Sequence, residues 1–285
     1  MNWRRGIIIA LLLVPGLGLI ITLMGTVVYM AIAQSFGLYP LSGDGGFSIE
    51  FWEKMVGRKV YARSVGYSVY IGLFSAIVSV ALAYPLAIWL RRPFPGSVTI
   101  SAILKAPLLV HGLVAAFLFI NVIAYHGILN QFMQWAGLWD GPRRMQNDDA
   151  AIGVLILQVW KNMPYALLIM AGSVQAVGDD LLDAARDLGA GTFARFRKVI
   201  APLSLPAMQA SLVIIFMGAA ADFSFQVLAG PTNQRSMAQL MVYFKGLGRW
   251  HDAAVVGVTL MVVALICAGA LALVARLLVR AGQAR

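Results

Sequence analysis

The sequence has 285 residues, of which 60% are hydrophobic and 12% are charged, and its mean hydropathy is +0.81. This composition excludes a soluble globular domain and is typical of a chain embedded in a membrane. The formal net charge is +10, but the basic residues lie at the ends of apolar runs and not among aromatic residues on a solvated face, so the sequence does not predict a nucleic-acid-binding protein.

Apolar runs long enough to cross a membrane follow one another along the chain. A hydrocarbon core of about 30 Å needs about 20 apolar residues per helix. Six runs reach that length: Gly6–Ala33, Val65–Leu90, Ile100–Tyr125, Ala151–Val174, Leu205–Leu228 and Ala253–Val279. They leave no room for a separate soluble domain, so the sequence predicts a single all-α integral membrane domain over residues 1–285.

The first apolar run also has features of a secretory signal. Arg4 and Arg5 precede it, and Ala31-Ile32-Ala33 resembles a cleavage site. The run is much longer than the apolar core of a signal, which has about 7–15 residues, so we expect an uncleaved anchor. A glycine-rich turn around residues 42–46 and a helix on the membrane surface, with Trp52 at the interface, are predicted to follow.

Polar residues inside the fifth predicted span are candidates for a solute path. A carboxylate at bilayer depth costs about 2.5–3.5 kcal/mol on insertion scales, so Asp222 should face a cavity or a partner. With Ser224 and Gln226, it would line the translocation path and contact or gate the solute. Alternatively, Asp222 pairs with a basic residue such as Lys161 and holds two helices together.

Further polar residues lie in the third and fourth predicted spans. His111, Asn121 and Lys161 are candidates for the path, although a lone intramembrane histidine is more often structural. Pro164 can kink the fourth span, either as a gate or, more often, as a packing feature. The sequence contains no H-E-x-x-H zinc motif, no G-x-S-x-G nucleophile motif and no phosphate-binding loop, so we expect no metal site, no catalytic residues and no cofactor bound by this chain.

The polar stretch between the fourth and fifth spans, residues 179–202, has the pattern of two short helices. The apolar residues Leu181, Leu182, Ala184, Ala185 and Leu188 recur at helical spacing, with acidic residues on the opposite face. Asp179 or Asp180 is expected to cap the first helix, and Gly189 to end it in a left-handed conformation. Thr192 is expected to cap the second helix, and Pro202 to close the segment.

The order of residues in this stretch resembles the EAA loop of ABC-importer permeases. That pattern is E-A-A-x-x-x-G, followed after nine residues by I-x-L-P, and the chain has Asp183-Ala184-Ala185, Gly189 and Val199-Ile200-Ala201-Pro202. Asp183 keeps the charge of the family's Glu on a side chain one carbon shorter. The chain is therefore similar to the type I, binding-protein-dependent inner-membrane permeases, and it looks most like the branch that carries polyamines, beside those for ferric ion, sulfate and thiamine.

The resemblance implies the type I ABC-importer permease fold, with a core region over residues 65–279 and a cytoplasmic coupling loop over residues 175–202. A coupling-helix hairpin, residues 179–198, would enter a groove of a separate ATP-binding subunit dimer, which would hold ATP and magnesium. The coupling residues would be Asp180, Leu181, Leu182, Asp183, Ala184, Ala185, Arg186, Asp187, Gly189, Phe193 and Pro202. A second permease, identical or homologous, would help to enclose the path, and a periplasmic solute-binding protein would deliver a small solute such as a polyamine.

The resemblance also implies a multi-pass protein of the bacterial inner membrane, with membrane lipid around it and both termini in the cytoplasm. The distribution of basic residues slightly favours that orientation. The alternative is a proton-coupled secondary transporter in which Asp222 titrates. That alternative leaves the structured hairpin unexplained, and no inverted repeat is evident in the sequence.

Overall fold

The computed structural model describes residues 3–38 and 46–283, and every regular element within these ranges is helical. The helices are α1 (Trp3–Ser35), α2 (Glu50–Val56), α3 (Lys59–Trp89), α4 (Ser97–Lys105), α5 (Gly112–Ile123), α6 (Ile128–Trp135), α7 (Ile152–Gln175), α8 (Asp179–Asp187), α9 (Thr192–Arg195), α10 (Ala201–Ala220), α11 (Ser224–Ala229), α12 (Met237–Gly246) and α13 (Trp250–Gln283). The turn predicted around residues 42–46 lies outside the described residues except for Gly46.

Six helical segments are long and apolar enough to cross a membrane, which confirms the number of predicted spans. They are Leu11–Ser35, Lys59–Trp89, Gly112–Trp135, Ile152–Gln175, Thr192–Ala220 and Trp250–Val279. Because a helix pairs its own backbone groups, this is the architecture expected for a chain in hydrocarbon.

The third predicted span, residues 100–125, is not one helix. A 3₁₀ turn, Ala106–Leu109, follows α4, and His111 has an extended backbone (φ −61°, ψ 140°) before α5 begins. Pro107, which has no N–H to donate, lies in this 3₁₀ turn, and the chain becomes extended at Val110. The membrane-spanning part starts at Gly112 and consists of α5 and α6.

The fifth span starts and ends earlier than the predicted range, residues 205–228. Thr192–Ala220 is one continuous helical segment, so the second half of the predicted hairpin is joined directly to the span. Pro202, expected to close the loop, lies inside this segment just after a π-helical turn, in which the N–H of Ala201 donates to the carbonyl of Phe196. Proline cannot donate the regular helical hydrogen bond, and the wider turn accommodates it.

The chain divides into two compact units, of which one comprises Arg63–Gln239 and Val262–Arg285. Its main core lies among α3, α7, α10 and the second half of α13, where Leu167, Met170 and Phe216 are fully buried. Small residues such as Ala76 and Ala83 let the helices approach closely, as is usual in membrane bundles.

The other unit comprises Met1–Ala62 and Leu240–Met261. Within it, the indole N–H of Trp52 donates to the hydroxyl of Ser35 (3.3 Å), and Nδ1 of His251 lies 2.7 Å from the carbonyl oxygen of Gln34. The apolar side chains of α1 from residue 11 to residue 29 are exposed. Such a surface suits lipid or another membrane helix.

Gly72 of α3 provides a test of the main core. A Cβ atom added there would lie 2.8 Å from Cε2 of the buried Phe216, whereas one added at Gly66 of the same helix would meet nothing within 4 Å. Overpacking a tight core costs about 1–3 kcal/mol. We therefore expect Gly72→Val to lower the midpoint of thermal unfolding in detergent. Gly66→Val is the matched control, and equal midpoints for the two variants would contradict this packing.

Candidate functional site

The first helix of the loop, α8, is closed at its C-terminal end by a glycine, as predicted. Gly189 has φ +82°, a left-handed conformation that favours glycine. Its N–H donates to the carbonyl of Arg186 (2.8 Å), and the N–H of Ala190 donates to that of Ala185 (2.9 Å). These two bonds form a Schellman motif, which satisfies carbonyls that the helix end leaves unpaired.

The caps predicted at the starts of the two hairpin helices were wrong. Asp179 and Thr192 each lie one residue inside a helix, and the cap positions are Gly178 and Gly191, which have no side chain to donate or accept. In place of a cap, an acidic first turn, Asp179 and Asp180, meets the positive end of the helix dipole of α8.

The two faces of α8 differ in burial. Leu182, predicted as one of the apolar contact residues, is buried in the core beneath the hairpin. Leu181, Leu188 and Phe193 are exposed, the last two to 89% and 73%. The other exposed residues of the predicted coupling set are Asp180, Asp183, Ala184, Arg186, Asp187 and Gly189, while Ala185 and Pro202 are half-buried. The exposed residues of the hairpin thus include both apolar and charged side chains.

Arg91, which no sequence motif marks, ties the end of the second span to this hairpin. Its Nε donates to the carbonyl of Val174 (3.2 Å), its Nη2 donates to that of Val177, and its Nη1 pairs with the carboxylate of Asp179 (2.9 Å). The side chain is only 10% exposed. One guanidinium group therefore holds the C-terminal end of α7 and the first residue of α8.

Lys161, in the middle of α7, occupies the break in the third span. Its ammonium group donates to the carbonyl of Pro107 (2.7 Å) and to that of Val110. Pro107 lies in the 3₁₀ turn and Val110 follows it. Within a bilayer, the carbonyls of such a break need donors from the protein itself. The hydrogen bonds of Lys161 thus join the fourth span to the interruption of the third.

Asp222 lies in the turn between α10 and α11, not within a span helix. Its Oδ2 accepts a hydrogen bond from the backbone N–H of Phe225 (2.9 Å), so it organises the first turn of α11. The ion pair between Asp222 and Lys161, considered from the sequence, is not formed, because Lys161 binds carbonyls instead.

The remaining path candidates differ in burial. Gln226 is buried, and its Oε1 accepts a hydrogen bond from the hydroxyl of Tyr67 (2.6 Å), whereas Ser224 is half-buried. His111 and Asn121 are exposed, and Asn121 donates to the carbonyl of Phe117 in its own helix (3.0 Å).

The two helix interruptions adjoin each other. Phe225 of α11 and Ala116 of α5 belong to one buried cluster, and the Phe225 ring lies beside Gly112, the first residue of α5. The turn that holds Asp222 therefore adjoins the break that Lys161 occupies. Among the described residues, no group of three or more His, Cys, Asp or Glu side chains could hold a metal ion.

Comparisons with known proteins agree with this architecture. Residues 64–285 match the family model described as "Binding-protein-dependent transport system inner membrane component". The chain is 26% identical over 207 residues to the spermidine/putrescine transport system permease protein PotB of Escherichia coli K12, covering 72% of this chain and 74% of PotB. It is 24% identical over 184 residues to the thiamine transport system permease protein ThiP of Brucella abortus, covering 64% of this chain and 33% of ThiP.

The fold also matches a solved transporter. A chain in the crystal structure of a bacterial ABC transporter involved in the import of the acidic polysaccharide alginate has a TM-score of 0.76 to this chain, at 15% identity, with 97% of this chain and 96% of that one covered. This likeness confirms the importer-permease fold, and the family match favours an importer over a proton-driven transporter. The chain belongs to the family of binding-protein-dependent transport system inner membrane components, the permease subunits of ABC importers.

Proposed function

We propose that this chain is the permease of an ATP-driven importer and that its hairpin, residues 179–198, couples it to a separate ATP-binding subunit dimer in the cytoplasm. The observation that carries the proposal is the exposure of Leu181, Leu188 and Phe193 on the hairpin, whose charged residues are exposed as well. An apolar centre with a polar rim is the usual anatomy of a protein interface.

The attachment of the hairpin supports a mechanical role. At one end, Arg91 binds α8 to the ends of the second and fourth spans. At the other end, the hairpin continues without interruption into the fifth span, Thr192–Ala220. A displacement of the hairpin by the ATP-binding subunits would therefore move several spans together, because no flexible linker lies between them.

The proposal includes the partners that such a subunit needs. The ATP-binding subunits would bind ATP and magnesium, so this chain would not itself be an enzyme. A second permease, identical or homologous, would complete the path, and a periplasmic binding protein would deliver the solute. Both termini would then be cytoplasmic, on the same side as the hairpin.

The transported solute is proposed to be a small cation of the polyamine kind. The similarity to PotB supports this choice, and a carboxylate at Asp222, next to the two helix interruptions, would suit a positively charged solute. Uptake of labelled spermidine, with unlabelled spermidine or thiamine as competitor, tests the choice directly. We expect saturable spermidine uptake that depends on this chain and that unlabelled spermidine, but not thiamine, competes away. The absence of saturable spermidine uptake would exclude the choice.

Gly189 and Gly191 provide a matched pair of variants for the coupling role. Gly189 has φ +82°, whereas Gly191 has φ −65°, and an added Cβ atom would meet nothing at either site. A β-branched residue at φ > 0 costs about 1–3 kcal/mol. We expect Gly189→Val to reduce both uptake and co-purification of the ATP-binding subunit, and Gly191→Val to retain both. Wild-type behaviour of Gly189→Val would rule out the coupling role.

Arg91 is expected to position the hairpin and not to bind ATP or solute. Arg91→Gln removes the ion pair with Asp179 and leaves carbonyls at the end of α7 without their charged donor, a loss of about 1.5–3 kcal/mol. We expect uptake per ATP hydrolysed to fall while the ATP-binding subunit still co-purifies. Arg91→Lys should restore part of the coupling. Arg63→Gln, at the exposed start of α3, is the control, and normal coupling in Arg91→Gln would contradict this role.

A further inference from the structure

We propose that a cavity between the hairpin and the end of the second span binds the phosphate group of an anionic phospholipid from the cytoplasmic leaflet. The proposal rests on the orientation proposed above, in which the hairpin is cytoplasmic. The cavity is lined by Arg91 and Leu182, which also have a part in the coupling proposal, and by Arg92, Thr192 and Arg195, which do not.

The cavity has a volume of about 220 Å³ and is strongly cationic. Arg91, Arg92 and Arg195 line it, together with the hydroxyl group of Thr192 and apolar side chains, and no carboxylate is among the described residues that form its wall. Asp179, the nearby acidic residue, lines a separate neighbouring cavity.

The three guanidinium groups differ in how closely a carboxylate compensates their charge. Arg91 is engaged with Asp179, but Arg92 lies 3.9 Å from that carboxylate and is 73% exposed. Nε of Arg195 is buried without a hydrogen-bond partner, and its Nη2 is 3.5 Å from the hydroxyl oxygen of Thr192. Arg195 forms no ion pair with any described residue, so an anion in the cavity that it lines would compensate its charge.

Phosphate is an anion that fits this donor set. The guanidinium fork of arginine binds two oxygens of a phosphate group at once. Arg92 and Arg195 approach the cavity from different elements, the end of the second span and the second half of the hairpin. A phosphate between them would therefore join the span to the hairpin.

The position of the cavity favours a lipid as the source of the phosphate. The exposed Trp89 at the end of α3 packs against Phe94 (ring centroids 4.8 Å apart), and exposed aromatic residues at a span end mark the membrane–water interface. Basic pockets between spans at this depth bind anionic lipid headgroups. The buried Leu182 lines the cavity. The exposed Leu181 and Leu188, which would meet an ATP-binding subunit, point in other directions from α8.

Lipid titration of the purified full-length chain in mild detergent tests the proposal. The probes are short-chain phosphatidylglycerol, phosphatidylcholine with the same acyl chains, and inorganic phosphate. We expect phosphatidylglycerol to bind at least about tenfold more tightly than either of the other two. Arg92→Gln and Arg195→Gln should each weaken it about fivefold, since one basic residue near an anionic surface contributes about 1 kcal/mol.

Controls separate the site from general charge and from misfolding. Arg195→Lys keeps the charge but loses the fork, so it should bind less tightly than the wild type and more tightly than Arg195→Gln. Arg63→Gln removes one exposed charge elsewhere and should leave binding unchanged. Size-exclusion profiles and thermal midpoints verify that each variant is folded.

Several results would overturn the lipid site. They are equal binding of the two lipids, an equal loss in Arg63→Gln, and inorganic phosphate binding as tightly as phosphatidylglycerol, which would indicate a free anion. Unchanged lipid binding in Arg195→Gln would likewise contradict the site. Because the titration contains no ATP-binding subunit, its failure and a failure of the coupling proposal can be told apart.

Discussion

The described structure depends on hydrogen-bond donors for the backbone carbonyls at helix ends and helix breaks. At a helix end or a break inside a membrane such groups need a donor from the protein itself. Two basic side chains of one compact unit supply it. Lys161 binds the carbonyls of the interrupted third span, and Arg91 binds those at the end of α7. Both therefore use their charge to hold backbone, and neither is free to pair with Asp222.

This use of charge links local interruptions to the movement expected of a permease. The break at Pro107 and the turn at Asp222 are the places where two spans depart from regular helix, and they adjoin each other through Phe225 and Gly112. Helix interruptions buried against other helices are tolerated in membranes and often accompany transport sites. The hairpin, in contrast, is connected to the spans rigidly, by Arg91 and by the continuous segment Thr192–Ala220. Stiff attachment of the hairpin and irregular backbone within the bundle are complementary properties for coupled transport.

Local signals in the sequence predicted what local physics decides. Six apolar runs predicted six spans, because burial in hydrocarbon dictates both length and composition. Gly189 ended α8 where expected, since only a left-handed residue closes that turn. The predicted cap positions were wrong by one residue, because Asp179 and Thr192 are the first residues of their helices and do not precede them.

What the sequence could not predict depends on neighbours that are far apart in the chain. No local pattern predicts that Leu182 is buried beneath the hairpin. Likewise, no local pattern predicts that Arg91 pairs with Asp179, which lies 88 positions later. Local rules predict that Pro202 closes the loop, but a π-helical turn before it lets the helix continue through it. The pairing of Lys161 with carbonyls, in place of Asp222, likewise follows from a break in another span.

Contact between the hairpin and an ATP-binding subunit is the central claim, and site-specific photo-crosslinking measures it most directly. A photoreactive amino acid is placed at Leu188 or, as the control, at Leu109, which lies on another element and has the same 89% exposure. In membranes that contain the complete transporter, we expect a crosslink to the ATP-binding subunit from position 188 and none from position 109. No crosslink from position 188, or equal crosslinks from both positions, would contradict the claim.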